Sequence, residues 1–286
     1  IYSGGGFSGS DSFTQTIEIL GANTWLNRLE CFTISLTSFV QGSCVLFQQG
    51  LFPEREVIFK NLFWTDEKEI KPNMRNNSVL FQADFAGAGP DLNRIWHLEG
   101  EGKAQIDNGK LALQDSGTGV VLWIRQDFPS DVSLQFDLSF SNNRGIGVFF
   151  VAARGVEGED ILEDLPERNG TYSQYTGGKI NCYGFSLHRF FPDGRHNDGA
   201  NIRKNSGFYL VNHVEPDPIM KANQAYGVRI EKAGGYLRLW VDGDLVHDWQ
   251  DDGTHGATLT GGKIGFRVRG HRSCIMYLDN IVIDCP

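Results

Sequence analysis

Hydrophobic and polar residues alternate along several short stretches of the chain. In the clearest example, serine, glutamine and aspartate side chains separate four apolar residues, Leu134, Phe136, Leu138 and Phe140. Side chains of an extended strand point to opposite faces in turn, so this period of two predicts a strand with one buried and one solvated face. Residues 145–153 are apolar throughout, which predicts a central strand covered on both faces.

Strand-like segments recur from Ser78 onward and are separated by turn residues. Asn108-Gly109 and Asp242-Gly243 each stand between two such segments and predict tight hairpins, because these residues tolerate the positive φ that two-residue turns require. Many short strands joined by tight turns predict an all-β, antiparallel jelly-roll sandwich. The predicted strands are residues 79–85, 96–101, 103–106, 110–114, 120–125, 132–140, 145–153, 179–191, 207–213, 225–232, 236–241, 244–249, 263–268 and 273–283.

Residues 158–211 concentrate acids, bases, tyrosines and glycines, and their first strand has two contrasting faces. One face carries Tyr183, Phe185 and Leu187 and is predicted to be core, with Arg189 at the strand end. The other face is small and mostly polar, as expected of a strand that floors an open binding groove. The alternative is an ordinary sheet with one solvated face. This second face consists of Cys182, Gly184, Ser186, His188 and Phe190.

The first 75 residues read differently from the rest. They hold β-prone segments at 32–47 and 56–63 but no constellation of chemical residues, so they are expected to form an N-terminal extension of uncertain structure. This extension either adds strands to the sandwich or forms a small separate module. Residues 71–77 read as a polar linker, and the sandwich domain is predicted over residues 78–286.

Composition narrows the class of protein. A hydrophobic content of 40% suffices for a packed core, and 35 glycines with 12% aromatic residues favour strands and turns over helices. The net charge of −9 argues against a nucleic-acid partner. The most apolar early stretch, residues 31–52, is interrupted by polar residues and glycine, so no membrane span is expected.

Five cysteines occur, at positions 31, 44, 182, 274 and 285, and their spacing matches no zinc site. Cys274 and Cys285 flank the last predicted strand and are able to pair if the fold brings them together. Buried free thiols are the alternative.

Three C-terminal segments resemble the closing hairpins of concanavalin-A-like sandwiches, which occur in many carbohydrate-active proteins. They read LWVDGDLVHDWQDDG at residues 239–253, GGKIGFRV at 261–268 and YLDNIVI at 277–283. Four further blocks resemble the bacterial YesU-like family, whose members are often encoded beside genes for using pectin and other uronic-acid polysaccharides. These blocks are GVEGED, RNGTYSQYTGGKIN, SLHRF and NIRKNSGF, at residues 155–160, 168–181, 186–190 and 201–208.

The resemblance covers residues 78–286 and implies a glycan as partner. It differs at Gly184, where the family often has histidine, and at Leu187, where it often has an aromatic residue; here the histidine is His188. The matching positions that carry polar or ionisable side chains are Glu159, Asp160, Arg168, Tyr172, Tyr175, Asn181, Arg189, Arg203 and Lys204.

The aromatic and basic residues of this stretch suit a uronate. Tyr172 and Tyr175 lie in a polar loop, where tyrosine can stack on a sugar or transfer a proton; the alternative is a loop anchored by buried rings. Guanidinium groups bind carboxylates bidentately, and the alternative is ion pairing with local acids, Glu159, Asp160, Glu163 and Asp164. The basic set comprises Arg168, Arg189, Arg203 and Lys204.

The carboxylates admit two further interpretations. Glu159 and Asp160 suggest a glycosidase pair, but adjacent strand residues face opposite ways, so a partner such as Asp137 is needed. Asp84 and Asp279 suit a structural calcium ion, with a simple turn role as the alternative for Asp279. We expect no other cofactor.

The favoured interpretation is a polysaccharide lyase that acts on a uronic-acid-containing glycan by β-elimination. Tyr175 or His188 is the predicted base, Arg203 the predicted carboxylate contact and Tyr172 a stacking residue. A non-catalytic glycan-binding module is the alternative, and a glycoside hydrolase is the third choice. A secreted or periplasmic location is favoured over a cytoplasmic one. The predicted substrate-binding residues are Glu159, Asp160, Arg168, Tyr172, Asn181, Ser186, Arg189, Lys204 and Tyr209.

Overall fold

The computed structural model describes residues 13–17, 32–40, 43–48, 56–60, 79–86 and 92–286 of the 286-residue chain. The chain divides into two units, Ile1–Arg75 and Asn76–Pro286. In the first unit, four strands form an antiparallel sheet in chain order. They are β1 (Phe13–Ile17), β2 (Phe32–Val40), β3 (Ser43–Gln48) and β4 (Glu56–Lys60).

The second unit is a sandwich of two antiparallel sheets with two four-residue helices, α1 (Leu92–Ile95) and α2 (Ser173–Thr176). Its strands are β5 (Val79–Ala83), β6 (Trp96–Glu99), β7 (Gly102–Asp107), β8 (Lys110–Asp115), β9 (Val120–Ile124), β10 (Val132–Phe140), β11 (Ile146–Gly155), β12 (Ile180–Leu187), β13 (Ala200–Asn205), β14 (Tyr209–Val214), β15 (Tyr226–Ala233), β16 (Tyr236–Val241), β17 (Asp244–Gln250), β18 (Lys263–Arg269) and β19 (Met276–Asp284). The predicted all-β sandwich is therefore confirmed.

One sheet has the order β17-β16-β15-β10-β19-β8-β7, with β5 also paired to β19. The other sheet has the order β14-β13-β12-β11-β18-β9-β6. Both predicted hairpins form: Asp107 pairs with Lys110, and Val241 pairs with Asp244. The turn residues between them have positive φ, as expected for two-residue hairpin loops.

The main core lies between the sheets and follows the predicted alternation. Phe136 packs against Phe149 and Phe266, with ring centroids 4.9 and 5.5 Å apart. The inward face of β12 is buried as predicted, at Tyr183, Phe185 and Leu187. β11 is paired on both sides, to β12 and β18, and seven consecutive residues in it are buried, so the prediction of a doubly covered central strand is confirmed.

The outer face of the seven-stranded sheet corrects one prediction. The small and polar face of β12 is neither an open groove floor nor solvated, because Cys182, Ser186 and His188 are at most 5% exposed, and Phe190 is buried too. Cys182 is buried by a second apolar cluster, in which Ile161 and Tyr175 pack over Phe150 of β11 and Trp123 of β9. His188 is buried in a different way, between the rings of Phe140 and Phe190. Residues 156–179, hereafter the covering segment, thus lie over this half of the sheet.

Cys182 and Cys274 are free, buried thiols. The suggested Cys274–Cys285 pair is therefore not formed. In the part of the chain that the structure describes, no helix has the length and apolarity needed to cross a membrane.

Candidate functional site

The covering segment is fastened to the sheet by a buried ion pair. Glu99 at the end of β6 accepts hydrogen bonds from Arg168 Nε at 2.9 Å and from Arg168 Nη2, and a third from Trp123 Nε1 at 3.0 Å. Glu99 is 1% exposed and Arg168 is 7% exposed. Arg168 was predicted to bind a uronate, but its guanidinium is fully engaged by this internal carboxylate and is not available to a ligand.

Neither of the two predicted bases reaches solvent. Tyr175 is buried, its ring lies 5.9 Å from that of Phe150, and burial together with Glu99 raises the pKa of its hydroxyl. His188 stacks on Phe140 at 3.9 Å, and its two ring nitrogens face the carbonyl oxygens of Ile219 and Asn142 at 3.2 and 3.0 Å. Burial lowers the pKa of His188. Both side chains hold the fold together, and a glycan cannot contact them in this conformation.

Several other predicted site residues are engaged within the protein. Lys204 Nζ contacts Asp251 Oδ2 and the Gly256 carbonyl, each at 2.6 Å. Lys263 pairs with Asp160 at 2.6 Å. Glu159 accepts a backbone hydrogen bond from Glu157, and Asn181 accepts one from Ser206.

The two aspartates suggested for calcium accept local backbone hydrogen bonds. Asp84 Oδ1 accepts from the Ala86 amide at 2.7 Å, and Asp279 Oδ1 accepts from the Asn280 amide at 2.9 Å. Among the described residues, no three His, Cys, Asp or Glu side chains are arranged to hold a metal ion.

Three arginines surround Tyr172 at the border of the covering segment, and we call Arg189, Arg203 and Arg267 the arginine cluster. Arg267 Cζ lies 4.6 Å from the centroid of the Tyr172 ring. Arg189, Arg203 and Arg267 all interact electrostatically with the Tyr172 hydroxyl, and Ser186 lies near the same hydroxyl and acts to lower its pKa. Tyr172 itself is partly exposed. The structure thus brings together four of the predicted residues, Tyr172, Ser186, Arg189 and Arg203, and adds Arg267.

The guanidinium groups of the cluster donate hydrogen bonds to backbone carbonyl oxygens. Arg203 donates to the Phe208 carbonyl at 2.8 Å, Arg189 to that of Gly199 at 3.0 Å, and Arg267 to that of Thr118 at 3.1 Å. Within the described residues, none of the three forms an ion pair with a carboxylate. Burial lowers the pKa of all three guanidinium groups, and the opposing effects of Asp217 on Arg189 and of Asp115 on Arg267 do not cancel it.

A short hydrogen-bonded chain orients Arg189. Its two terminal nitrogens lie 3.0 and 3.2 Å from the side-chain oxygen of Asn201, whose amide nitrogen donates to His213 Nδ1 at 2.6 Å. His213 Nε2 in turn contacts Glu215 at 2.8 Å. The backbone amide of Arg189 donates to the buried carboxylate of Asp217 at 3.0 Å. Arg189 is therefore held in place from two sides.

Aromatic side chains border the cluster on the β13–β14 hairpin. Phe208 is 41% exposed and carries the Arg203 guanidinium 3.8 Å above its ring. The Phe208 ring also meets that of Tyr172 edge to face at 5.6 Å. Tyr209, predicted to bind substrate, is 42% exposed beside it. Sequence reasoning missed Phe208, although an aromatic residue four positions after the basic NIRK run was the available signal.

Comparison with known proteins identifies the family. Residues 78–271 match the family described as a domain of unknown function, DUF1961. The chain is 35% identical over 181 residues to the uncharacterized protein YesU of Bacillus subtilis (strain 168), which covers 60% of this chain and 81% of that protein.

A solved structure shows the same fold. It is a Bacillus subtilis protein of unknown function with a galectin-like fold, 27% identical, with a TM-score of 0.64 over 72% of this chain and 96% of that chain. The resemblance to the YesU-like family is thereby confirmed: the chain belongs to the DUF1961 family and has a galectin-like sandwich.

Proposed function

We propose that this protein binds a glycan that contains uronic acid, and that Arg189 and Arg203, the two partly exposed members of the arginine cluster, contact the uronate carboxylate, while the buried Arg267 adds positive charge behind Tyr172. The observation that carries the proposal is the set of three guanidinium groups around Tyr172 that form no ion pair within the described residues. A carboxylate supplied by a ligand would offset the cost of burying those charges.

The neighbouring aromatic surface favours a sugar acid over a simple anion. Phe208 and Tyr209 are exposed beside Arg203. Exposed aromatic rings offer flat apolar surfaces to the faces of sugar rings, whereas a phosphate ion has no apolar face that could pack on them. The net charge of −9 disfavours a nucleic-acid ligand.

Calorimetric titration with a panel of uronate and neutral oligosaccharides tests this function. We expect tetragalacturonate or another uronate oligosaccharide to bind and neutral oligosaccharides of equal length to bind less well. Arg203→Ala should weaken uronate binding about tenfold or more, since a charge-assisted contact contributes about 1.5–3 kcal/mol.

Arg195→Ala is the matched control, because Arg195 is an exposed arginine that already pairs with Asp193 at 2.6 Å. It should bind like the parent protein. Equal affinity of the parent and Arg203→Ala for every uronate tested would rule the proposal out.

A β-elimination lyase is the second candidate, and the position of Tyr172 favours it. A lyase needs positive charge at the uronate carboxylate and a base near the adjacent C–H bond. Tyr172 lies among the three arginines, so it replaces Tyr175 and His188 as the candidate base. Burial raises the pKa of Tyr172, and Arg267 and Arg203 act in the opposite direction.

In this reaction Tyr172, once deprotonated, takes the proton from C5, a C4–C5 double bond forms, the C4–O bond breaks with its electrons moving to the oxygen, and the Tyr172 hydroxyl returns the proton to that oxygen. Incubation with polyuronates should then generate ultraviolet absorbance from the unsaturated product. Tyr172→Phe should abolish that absorbance and keep most of the affinity. A parent protein that binds but never produces the absorbance is a binding module only.

A further inference from the structure

A polar cavity of about 290 Å³ lies at the end of the sandwich, apart from the arginine cluster. It is open to solvent on one side and is lined by the end of β11, the start of β12, the end of β13 and the loop of residues 255–261. The cavity is close to the lower limit of about 300 Å³ for small-molecule sites, which suits a single sugar unit.

The charges that line this cavity are already neutralised. Lys204 Nζ lies 2.6 Å from Asp251, and Arg154 Nη2 lies 2.6 Å from Asp127. The cavity therefore offers a ligand no free positive charge, in contrast to the arginine cluster. A second uronate would bind weakly in this cavity, because its carboxylate would compete with Asp251 and Asp127 for the same two cations.

The remaining polar groups suit hydroxyls. Asn181, Thr258 and Thr260 line the cavity with amide and hydroxyl groups. Asn205 also lines it, is 1% exposed, and its side-chain oxygen has no hydrogen-bond partner among the described residues. The amide and hydroxyl groups of Asn181, Thr258 and Thr260 can both donate and accept hydrogen bonds, as sugar hydroxyls do.

A continuous row of contacts joins the cavity to the arginine cluster. Arg203 stacks on Phe208, and the next residue, Tyr209, stacks on His255 at a centroid distance of 4.1 Å and an interplanar angle of 10°. His255 lines the cavity. A chain of sugars that leaves the cluster along these rings arrives at the cavity.

We propose that this cavity is a second subsite that holds a neutral, hydroxylated sugar unit of the same glycan whose uronate contacts the arginine cluster. The inference rests on the proposed function and deepens it. It predicts a heteroglycan, in which acidic and neutral units follow one another, as the preferred ligand over a pure polyuronate.

Two cavity-filling variants of the whole protein test the subsite, Ala257→Trp and Thr260→Trp, because both residues line the cavity. Ala225→Trp is the matched control, at an exposed alanine outside the cavity. The probes are tetragalacturonate and two tetrasaccharides that alternate acidic and neutral units, galacturonate–rhamnose and glucuronate–N-acetylglucosamine.

We expect the parent protein and Ala225→Trp to bind at least one alternating probe more tightly than tetragalacturonate. A cavity-filling variant that folds should bind that probe roughly tenfold more weakly, the loss of about one good contact, and should bind tetragalacturonate as the parent does. Equal binding of every probe by parent and filled variants overturns the subsite and leaves the uronate site intact.

A second measurement distinguishes failure of the subsite from failure of the proposed uronate binding. Amide chemical shifts of Ser206, Gly256 and Ala257 are followed while rhamnose or N-acetylglucosamine is added alone. Saturable shifts in the parent that disappear in the filled variants support the subsite even if no uronate binds. Shifts that grow linearly without saturation, in the parent and filled variants alike, overturn it.

Discussion

Arg168 of the covering segment and Glu99 of β6 form a two-pronged ion pair beneath the protein surface, with the two side chains 7% and 1% exposed. These residues are 69 positions apart in sequence. The pair fixes the covering segment across the outer face of the sheet, and so determines where Tyr172 stands.

Arg168→Ala should destabilise the protein by about 3–5 kcal/mol, because it leaves Glu99 buried without its counter-charge. Chemical denaturation measures this loss. Arg238→Ala is the control, since Arg238 and Asp248 form an ion pair at 3.0 Å with side chains 35% and 50% exposed. It should cost no more than about 1 kcal/mol. Similar losses for the two variants would contradict the role given to Arg168.

His188→Ala should lower the stability of the protein and leave uronate binding by the folded protein unchanged. The variant removes a buried ring stacked on Phe140 and the hydrogen bond that a neutral imidazole donates to one of the two facing carbonyl oxygens, which should cost about 2–4 kcal/mol. Thermal unfolding checks the loss, and uronate binding is measured below the new unfolding temperature. An unchanged melting temperature would show that His188 is not the packed residue described here.

His247 should make the protein less stable as the pH falls from about 6.5 to about 4. Burial, assisted by His213, lowers the pKa of His247 from 6.5 to about 4. Between these pH values the unfolded chain binds a proton that the folded protein does not, so acid favours unfolding. The free energy of unfolding should fall by about 3 kcal/mol over this range.

Denaturation midpoints of the parent and His247→Gln, measured from pH 4 to pH 7, check this dependence. The variant should show a flatter profile over that interval. Parallel profiles for both proteins would mean that other groups cause the acid sensitivity.

Phe208→Ala should weaken uronate binding several-fold with little change in stability. The ring is 41% exposed, yet it supports the Arg203 guanidinium at 3.8 Å, and a cation–π contact contributes about 0.5–1 kcal/mol at such a site. Phe191→Ala is the control, because Phe191 is 36% exposed and carries Arg195 outside the cluster. If both variants bind like the parent, Phe208 does not organise Arg203.

The sequence predicts the interior of the sandwich well because strand periodicity is local information. Leu134 and Phe136 are buried by the alternation that any extended strand imposes. The Asn108-Gly109 and Asp242-Gly243 hairpins are likewise set by their own two residues.

The site is less predictable because it depends on contacts between distant segments. The small, polar face of β12 is predicted to be exposed, and packing between distant segments buries it: Ile161 and Tyr175 cluster with Cys182, and Phe140 stacks on His188. Arg267 was not predicted as a site residue for the same reason: it lies in β18, far from Tyr172 in sequence, and only the fold brings the two side chains together. Its polar side chain in an otherwise apolar GFRV run was the available signal.

The covering segment also limits how a polymer can approach. It occupies the outer face over β9 and β11, so an extended polysaccharide cannot lie across the whole sheet from one edge to the other. A glycan that occupies the arginine cluster has to arrive from the β14 edge, with a free terminus or a side branch leading. The amount of protein bound by a given mass of polymer would then rise with the number of chain ends, and would grow as that polymer is cut into shorter pieces.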